Sequence, residues 1–268
     1  MSGKIKILMN GAAGKMGRSL SQGLSARSDM VICAAVDIKA SDVDYGFLCG
    51  IGELGFGIQT DFAAAITAAK PDVVVDFTNP AAVMGNIRTA LSYHTPIVVG
   101  TTGITPADIQ QIAKWCGEFH TSAFTAANFA LGAVLMLRFA REAARYMPHV
   151  EVIERHHDQK LDAPSGTAVT TLEMIAGVRQ PMAQGNPQEF ERLSGSRGAE
   201  YDGMRVHSVR LPGYVATQEV VFGEAGQVLT LRHDALSREA YVPGVALAVS
   251  KILTIPAGTL MQGLETLL

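Results

Sequence analysis

The sequence predicts an α/β protein in two parts: a first domain built on a parallel sheet and a second of α+β type. Three observations carry that expectation. Four short apolar runs between Ile5 and Val99 alternate with helix-patterned segments, which implies right-handed βαβ units and a parallel sheet. After Asn128 the pattern changes, and residues 204–234 hold three β-rich stretches parted by Gly and Pro, the mark of an antiparallel or mixed sheet. The length, 268 residues, exceeds one typical domain and suffices to bury a substantial core.

Taken in order, residues 5–10 read as a strand and residues 11–17 as a glycine turn. Met16, Leu20 and Leu24 then recur every four residues, as one face of a helix does. Residues 30–36 form a second strand ending at Asp37. Residues 72–77, with the apolar run Val73-Val74-Val75 between Pro71 and Pro80, show the pattern of a strand buried on both faces. Residues 96–99 are another, ending at Gly100-Thr101-Thr102-Gly103. Thr105 caps and Pro106 opens a helix toward Phe119, because a first-turn residue has no use for its N–H. A long amphipathic helix is expected from about Leu131 to Tyr146, and an alternating strand at 149–155. Ser165 is a natural N-cap for the next helix. Strands are expected at 205–211, 218–222 and 227–233, and a helix at 241–253. Residues 181–203, rich in Gly, Gln, Pro, Ser and Arg, read as a long surface loop. The expected division is a first domain at 1–127 and a second at 128–237.

Composition narrows the function. A net charge of −3 and a pI near 6.2 argue against a nucleic-acid binder, which would carry a basic patch. No apolar run reaches the roughly 18 residues of a membrane span, and the chain leads straight into a strand rather than a signal peptide. Cys33, Cys49 and Cys116 lack metal-ligand spacing and read as reduced structural thiols of a cytoplasmic protein.

Gly11, Gly14 and Gly17 form G-x-x-G-x-x-G, a variant of the Rossmann-type dinucleotide fingerprint. Small residues let the backbone approach a pyrophosphate, and the helix start behind them favours its charge. Gly11, Ala12, Ala13, Gly14, Lys15, Met16 and Gly17 are therefore candidate cofactor residues. Asp37 lies twenty residues past Gly17, at the end of the second strand, where an acid bonds a ribose 2′-hydroxyl. That carboxylate favours NADH. Lys39, two residues on, either pairs with the 2′-phosphate of NADPH or stays solvated, which leaves the choice between the two cofactors open. Gly100, Thr101 and Thr102 sit at the carboxyl edge of a strand, where ligands bind in open α/β sheets.

The run His156-His157-Asp158-Gln159-Lys160-Leu161-Asp162-Ala163-Pro164-Ser165-Gly166-Thr167-Ala168 is the most informative stretch. Its first seven residues hold two imidazoles, an amine and two carboxylates, and a capped helix start follows. Such a stretch moves protons and holds an anion.

With Glu154 and Arg155 in front, the same run resembles the signature E-x-H-H-x-x-K-x-D-A-P-S-G-T-A of the 4-hydroxy-tetrahydrodipicolinate reductase (dihydrodipicolinate reductase) family of lysine biosynthesis. The resemblance covers nearly the whole chain. It implies a Rossmann-type dinucleotide-binding domain with a second α+β substrate-binding and oligomerisation domain, the last segment, 238–268, returning to the first. It implies NADH- or NADPH-dependent reduction of 4-hydroxy-tetrahydrodipicolinate to tetrahydrodipicolinate in the diaminopimelate route. His156 and Lys160 would be the catalytic proton donors. His157 would bind the cyclic dicarboxylate substrate, unless it is a structural imidazole, and Gly166 and Thr167 would hold one carboxylate. Asp162 would either orient Lys160 or form part of the turn. Gly100-Thr101-Thr102-Gly103 matches the family's nicotinamide-side G-T-T-G, and Ala126, Ala127, Asn128 and Phe129 resemble a second nicotinamide-side segment, with Asn128 alternatively a helix cap. Arg238 fits the family's H-x-A-x-x-R pattern near the hinge or is a surface cation. A homotetramer through the second domain's sheet is implied. Two departures stand out: Ala130 where the family usually has Ser, and Gln218 where many relatives have His.

Two rival classes remain at this stage. One is another two-domain NAD(P) dehydrogenase, of amino-acid semialdehyde type, since fold alone does not fix function. The other is a non-catalytic nucleotide sensor, which would have no need of His156, His157 and Lys160. A zinc site is disfavoured, because the adjacent histidines have no third ligand nearby in sequence.

Overall fold

The computed structural model describes residues 3–268, which divide into two compact units. One holds the described residues up to Leu131 together with Arg238–Leu268; the other holds Gly132–Ser237.

The first unit begins β1 (Ile5–Asn10), α1 (Lys15–Ser25), β2 (Met30–Val36), α2 (Tyr45–Cys49), β3 (Ile58–Gln59) and α3 (Phe62–Ala69). It continues β4 (Val73–Asp76), α4 (Val83–Ser92), β5 (Ile97–Val99), α5 (Pro106–Phe119) and β6 (Ala123–Thr125). All residues of β4 and β5 are buried, as the unbroken apolar run requires. Leu20 and Leu24 are the buried stripe of α1. α5 starts with a reciprocal capping box: the Asp108 N–H donates to Thr105 Oγ1, and the Thr105 N–H donates to the Asp108 carboxylate.

The second unit follows with α6 (Leu131–Ala143), β7 (His149–His156), α7 (Gly166–Ala176), β8 (Ala199–Tyr201), β9 (Met204–Arg210), β10 (Ala216–Glu224) and β11 (Gln227–Ala235). α6 ends short of Tyr146; Pro148 disfavours helical backbone at Met147, and the chain turns before it. The expected loop at 181–203 is partly strand, because Asp202 (φ 48°) and Gly203 (φ 71°) make a two-residue left-handed hairpin turn that pairs β8 with β9. The sheet order is β11-β10-β7-β9-β8. β7 and β9 run parallel and the other pairs antiparallel, so the sheet is mixed. One face, with Val150, Val152, Met204, Val206, Val220 and Phe222, packs on α6 and α7 through Met136, Ala140, Leu172 and Ile175. The opposite face presents Glu151, Ile153, Arg155, Val221 and Val228, half-buried or exposed.

The chain then adds α8 (Val242–Ile252) and β12 (Leu260–Gln262) to the first unit, and β12 pairs with β6. Its sheet is β12-β6-β5-β4-β1-β2-β3, parallel throughout. Strand order reverses between β4 and β1, which opens a crevice at their carboxyl ends. Among the described residues no helix is long and apolar enough to cross a membrane.

Candidate active site

A cleft of about 260 Å³ occupies that crevice, lined by Asn10, Gly11, Gly14, Asp37, Thr78 and Asn86 among others. The glycines are there for steric reasons. Gly11 has φ 81°, and a Cβ on it would strike the Phe77 carbonyl; one on Gly17 would strike the Gly11 carbonyl. Gly14 caps α1 without a side chain, so first-turn N–H groups are left for an anion. The Asp37 carboxylate accepts from the Ala13 N–H (2.9 Å) and the Ile38 N–H (2.8 Å), bracing the turn against the end of β2. Two of its roughly four acceptor sites remain for a ribose hydroxyl. The Tyr45 hydroxyl, fully buried, donates to the Ala12 carbonyl and shares a hydrogen bond with Ser21. Lys15 and Lys39 are exposed. A bare-backbone cradle at a helix start, flanked by an acid at the next strand end, fits a dinucleotide.

Beside the turn lies a buried carboxylate that sequence reading did not single out. Asp76, at the end of β4, accepts from Asn10 Nδ2, Asn86 Nδ2, Thr78 Oγ1 and Thr101 Oγ1, each at 2.8 Å. It thereby ties β1, the loop after β4, α4 and the loop after β5. The Thr101 hydroxyl also accepts from the Thr78 N–H, so its side chain is spent on the fold. Thr102 and Ala127 are exposed and Gly100 half-buried. Ala126 is buried, and so is Phe129, whose ring packs against Phe77 and Phe124. Asn128 Oδ1 accepts from the Ala130 N–H, a capping contact just before α6.

The second unit gathers the predicted proton-moving groups at the end of β7. Glu154 and His156 are two residues apart on one strand and so share a face. His156 Nδ1 bonds Glu154 Oε2 at 2.5 Å. Glu154 has no exposed surface, and Arg210 of β9 grips both its oxygens, at 2.8 and 2.9 Å. Burial pushes the Glu154 carboxyl up, but hydrogen bonds from His156, Arg210 and Ser208 outweigh it and leave the pKa at about 2. Arg210 Nη2 also donates to the Asp162 carbonyl (2.7 Å), and Lys160 Nζ pairs with Asp162 Oδ1 at 2.7 Å. The Lys160 ammonium holds the Asp162 carboxyl below its ordinary value. His157 lies exposed just past the strand. Ser165 caps α7 by accepting from the Ala168 N–H, which leaves the Gly166 and Thr167 N–H groups at the helix start. The departure at Gln218 has a structural use: its Nε2 donates to Thr171, whose hydroxyl donates to the Thr167 carbonyl. Arg238 opens a short 3₁₀ turn, Arg238–Tyr241.

Comparison with known proteins decides the family. Residues 5–129 match the family model "Dihydrodipicolinate reductase, N-terminus" and residues 132–268 the model "Dihydrodipicolinate reductase, C-terminus". The chain belongs to the dihydrodipicolinate reductase family. It is 49% identical over 266 residues to 4-hydroxy-tetrahydrodipicolinate reductase of Desulfitobacterium hafniense (strain DSM 10664 / DCB-2), covering 99% of each chain. It is 47% identical to the enzyme so named in Moorella thermoacetica (strain ATCC 39073 / JCM 9320), covering 100% of this chain and 99% of that one. Among solved structures it resembles a dipicolinate-bound dihydrodipicolinate reductase from Paenisporosarcina sp. TG-14, with TM-score 0.86 and 40% identity over 99% of this chain and 100% of that one. An amine dehydrogenase from Mycobacterium smegmatis, 13% identical with TM-score 0.65 over 95% of this chain and 94% of that one, shares the fold alone.

Within this member of the dihydrodipicolinate reductase family, three residues that the structure ties into these clusters were not singled out by sequence reading. Glu154 stood in the signature, and its spacing from His156 was the available signal. Arg210 reaches the site only through the parallel register that sets it opposite His156. Asp76 ended a predicted strand with nothing local to mark its partners.

Proposed function

We propose that this protein is a 4-hydroxy-tetrahydrodipicolinate reductase that draws on NADH or NADPH in the diaminopimelate route to lysine. The observation that carries the reading is the linked set His156–Glu154–Arg210–Asp162–Lys160 beside a capped helix start. Replacing the hydroxyl of a cyclic imine dicarboxylate by hydrogen takes a hydride and a proton and releases water. The nicotinamide, when bound, supplies the hydride. His156 delivers the proton from Nε2, since Nδ1 is engaged by Glu154. Lys160 Nζ is the second proton donor and a point charge for one carboxylate. The Gly166 and Thr167 N–H groups and the Thr167 hydroxyl take the other, as helix starts take anions, and His157 adds a contact. In the first unit, the 11–17 turn with Asp37 and Lys39 holds the adenosine and phosphates. Gly100, Thr101, Thr102, Ala126, Ala127, Asn128 and Phe129 border the nicotinamide. The dipicolinate carried by the Paenisporosarcina relative is a dicarboxylate of the size this reading requires.

The working form is a homotetramer assembled on the second unit's open sheet face. Its three cysteines are free thiols, which suits the cytoplasm.

The test is NADH oxidation in an assay coupled to the enzyme that condenses pyruvate with aspartate semialdehyde. The wild-type protein is expected to consume NADH only when the condensation product is present. His156→Gln should lower kcat by about 10²–10⁴-fold, the usual contribution of a general acid, with KM for NADH unchanged. No substrate-dependent oxidation by the wild type would refute the proposed activity.

A further inference from the structure

We infer that Glu154 and Arg210 are a buried positioning pair for His156, with Glu154 fixing the imidazole and Arg210 fixing Glu154. The inference rests on His156 being the proton donor. A fully buried carboxylate is tolerated only when its charge is answered and its lone pairs are bonded. Glu154 meets that condition from two strands: His156 on its own strand, and Arg210 on β9 gripping both oxygens. Ser208 lies opposite Glu154 in the same register, and Gln218 lies opposite on β10. Gln218 is uncharged and gives its amide to Thr171, so it does not compete for the carboxylate.

The arrangement has a chemical consequence. Held ionised, Glu154 is acceptor-only, so the shared proton sits on His156 Nδ1 and the mobile one belongs to Nε2. Among the described residues Nε2 has no hydrogen-bond partner, and the ring keeps 16% of its side-chain surface exposed, enough to meet a ligand. Arg210 extends the clamp to the Asp162 carbonyl, and so to the turn that carries Lys160. One guanidinium thus sets the placement of both proposed donors. Packing alone would be served by an apolar residue at 154, as the buried valines at 150 and 152 serve it along the same strand face.

The test compares wild type, Glu154→Gln, His156→Gln and the double variant, with thermal melting and NADH binding measured on each. Glu154→Gln is expected to lower kcat by about 10–100-fold, as loss of a partner behind a functional imidazole does, with KM for NADH unchanged. In the His156→Gln background the same change should cost almost nothing further. A loss of equal size in both backgrounds would show a merely structural role and overturn the clamp while leaving the donor intact. A His156→Gln enzyme with normal kcat would overturn the donor assignment, and the clamp with it. If Glu154→Gln melts below the assay temperature, Glu154→Asp is read the same way. It keeps the charge opposite Arg210 but withdraws by one methylene from Nδ1, and unchanged kcat there overturns the inference.

Discussion

A carboxylate sealed from water has a second signature, in stability. Glu154 has its pKa at about 2 against an ordinary 4.5. Between those values the unfolded chain binds a proton that the folded chain does not. Its stabilisation is therefore fully present above the ordinary value and is lost as pH falls through the folded one, about 3 kcal/mol in all. Other carboxylates also sit low, among them Glu151 and Asp234 with their arginine partners, so acid weakens the whole protein. Comparison with Glu154→Gln separates this carboxylate from the others, because those out of contact with it contribute equally to both proteins. The stability gap between wild type and variant, from urea unfolding, should narrow by about 3 kcal/mol between about pH 6 and pH 2. A gap independent of pH would mean that Glu154 is not held ionised. Of the residues in this candidate site, His156, Lys160 and Ser165 were legible because they fall in one short run with donor, cation and cap in order, while Asp162 read only as an orienter of Lys160 or part of the turn. Arg210 was not, because a sheet register brings it there from 48 residues beyond Asp162.

Elements were legible in proportion to how much of their determinant is local. α5 carries its own start in Thr105, Pro106 and Asp108, and the structure begins it at Pro106. β4 up to Val75 and the whole of β5 are unbroken apolar runs. β3, β8 and β12 span two or three residues each, too short for any period, and exist because a neighbouring strand offers its edge. The same non-local logic governs Asp76, whose donors come from four segments that only the sheet brings together. Asp76→Asn keeps the shape but replaces an acceptor oxygen by a donor facing the Asn10 and Asn86 amides or the threonine hydroxyls. It should lower stability by about 1–3 kcal/mol, the penalty of stranding a buried donor. It should also raise KM for NADH by about tenfold, equivalent to about 1.4 kcal/mol, by loosening the loops that border the cofactor cleft. Melting and initial-rate measurements check both. A lowered melting temperature with unchanged KM would confine Asp76 to the fold.

At the scale of the whole molecule, the second unit poses a question that its own helices do not answer. α6 and α7 cover one face of the mixed sheet, while the opposite face carries Ile153, Val209, Val221 and Val228 among charged residues. Those charges are already organised. Arg232 bridges Glu219 and Asp234, Arg155 meets Glu219, and Arg197 with His207 brackets Glu151. Exposed salt bridges are worth little in water, but pairs that lose solvent in an interface hold register and partner. An apolar row between pre-paired charges is what a second copy of the same sheet would match, and this is the surface on which the homotetramer is proposed to form. Val221 sits near its middle, directly opposite Glu151 on β7. Val221→Lys should leave the unit folded, because the new ammonium faces that carboxylate. It should disrupt assembly, since burying several like charges at a symmetric interface is strongly unfavourable. Sedimentation equilibrium is expected to show a tetramer for the wild type and smaller species for the variant, with far-UV circular dichroism unchanged. A variant that sediments as the wild type does would place the interface elsewhere.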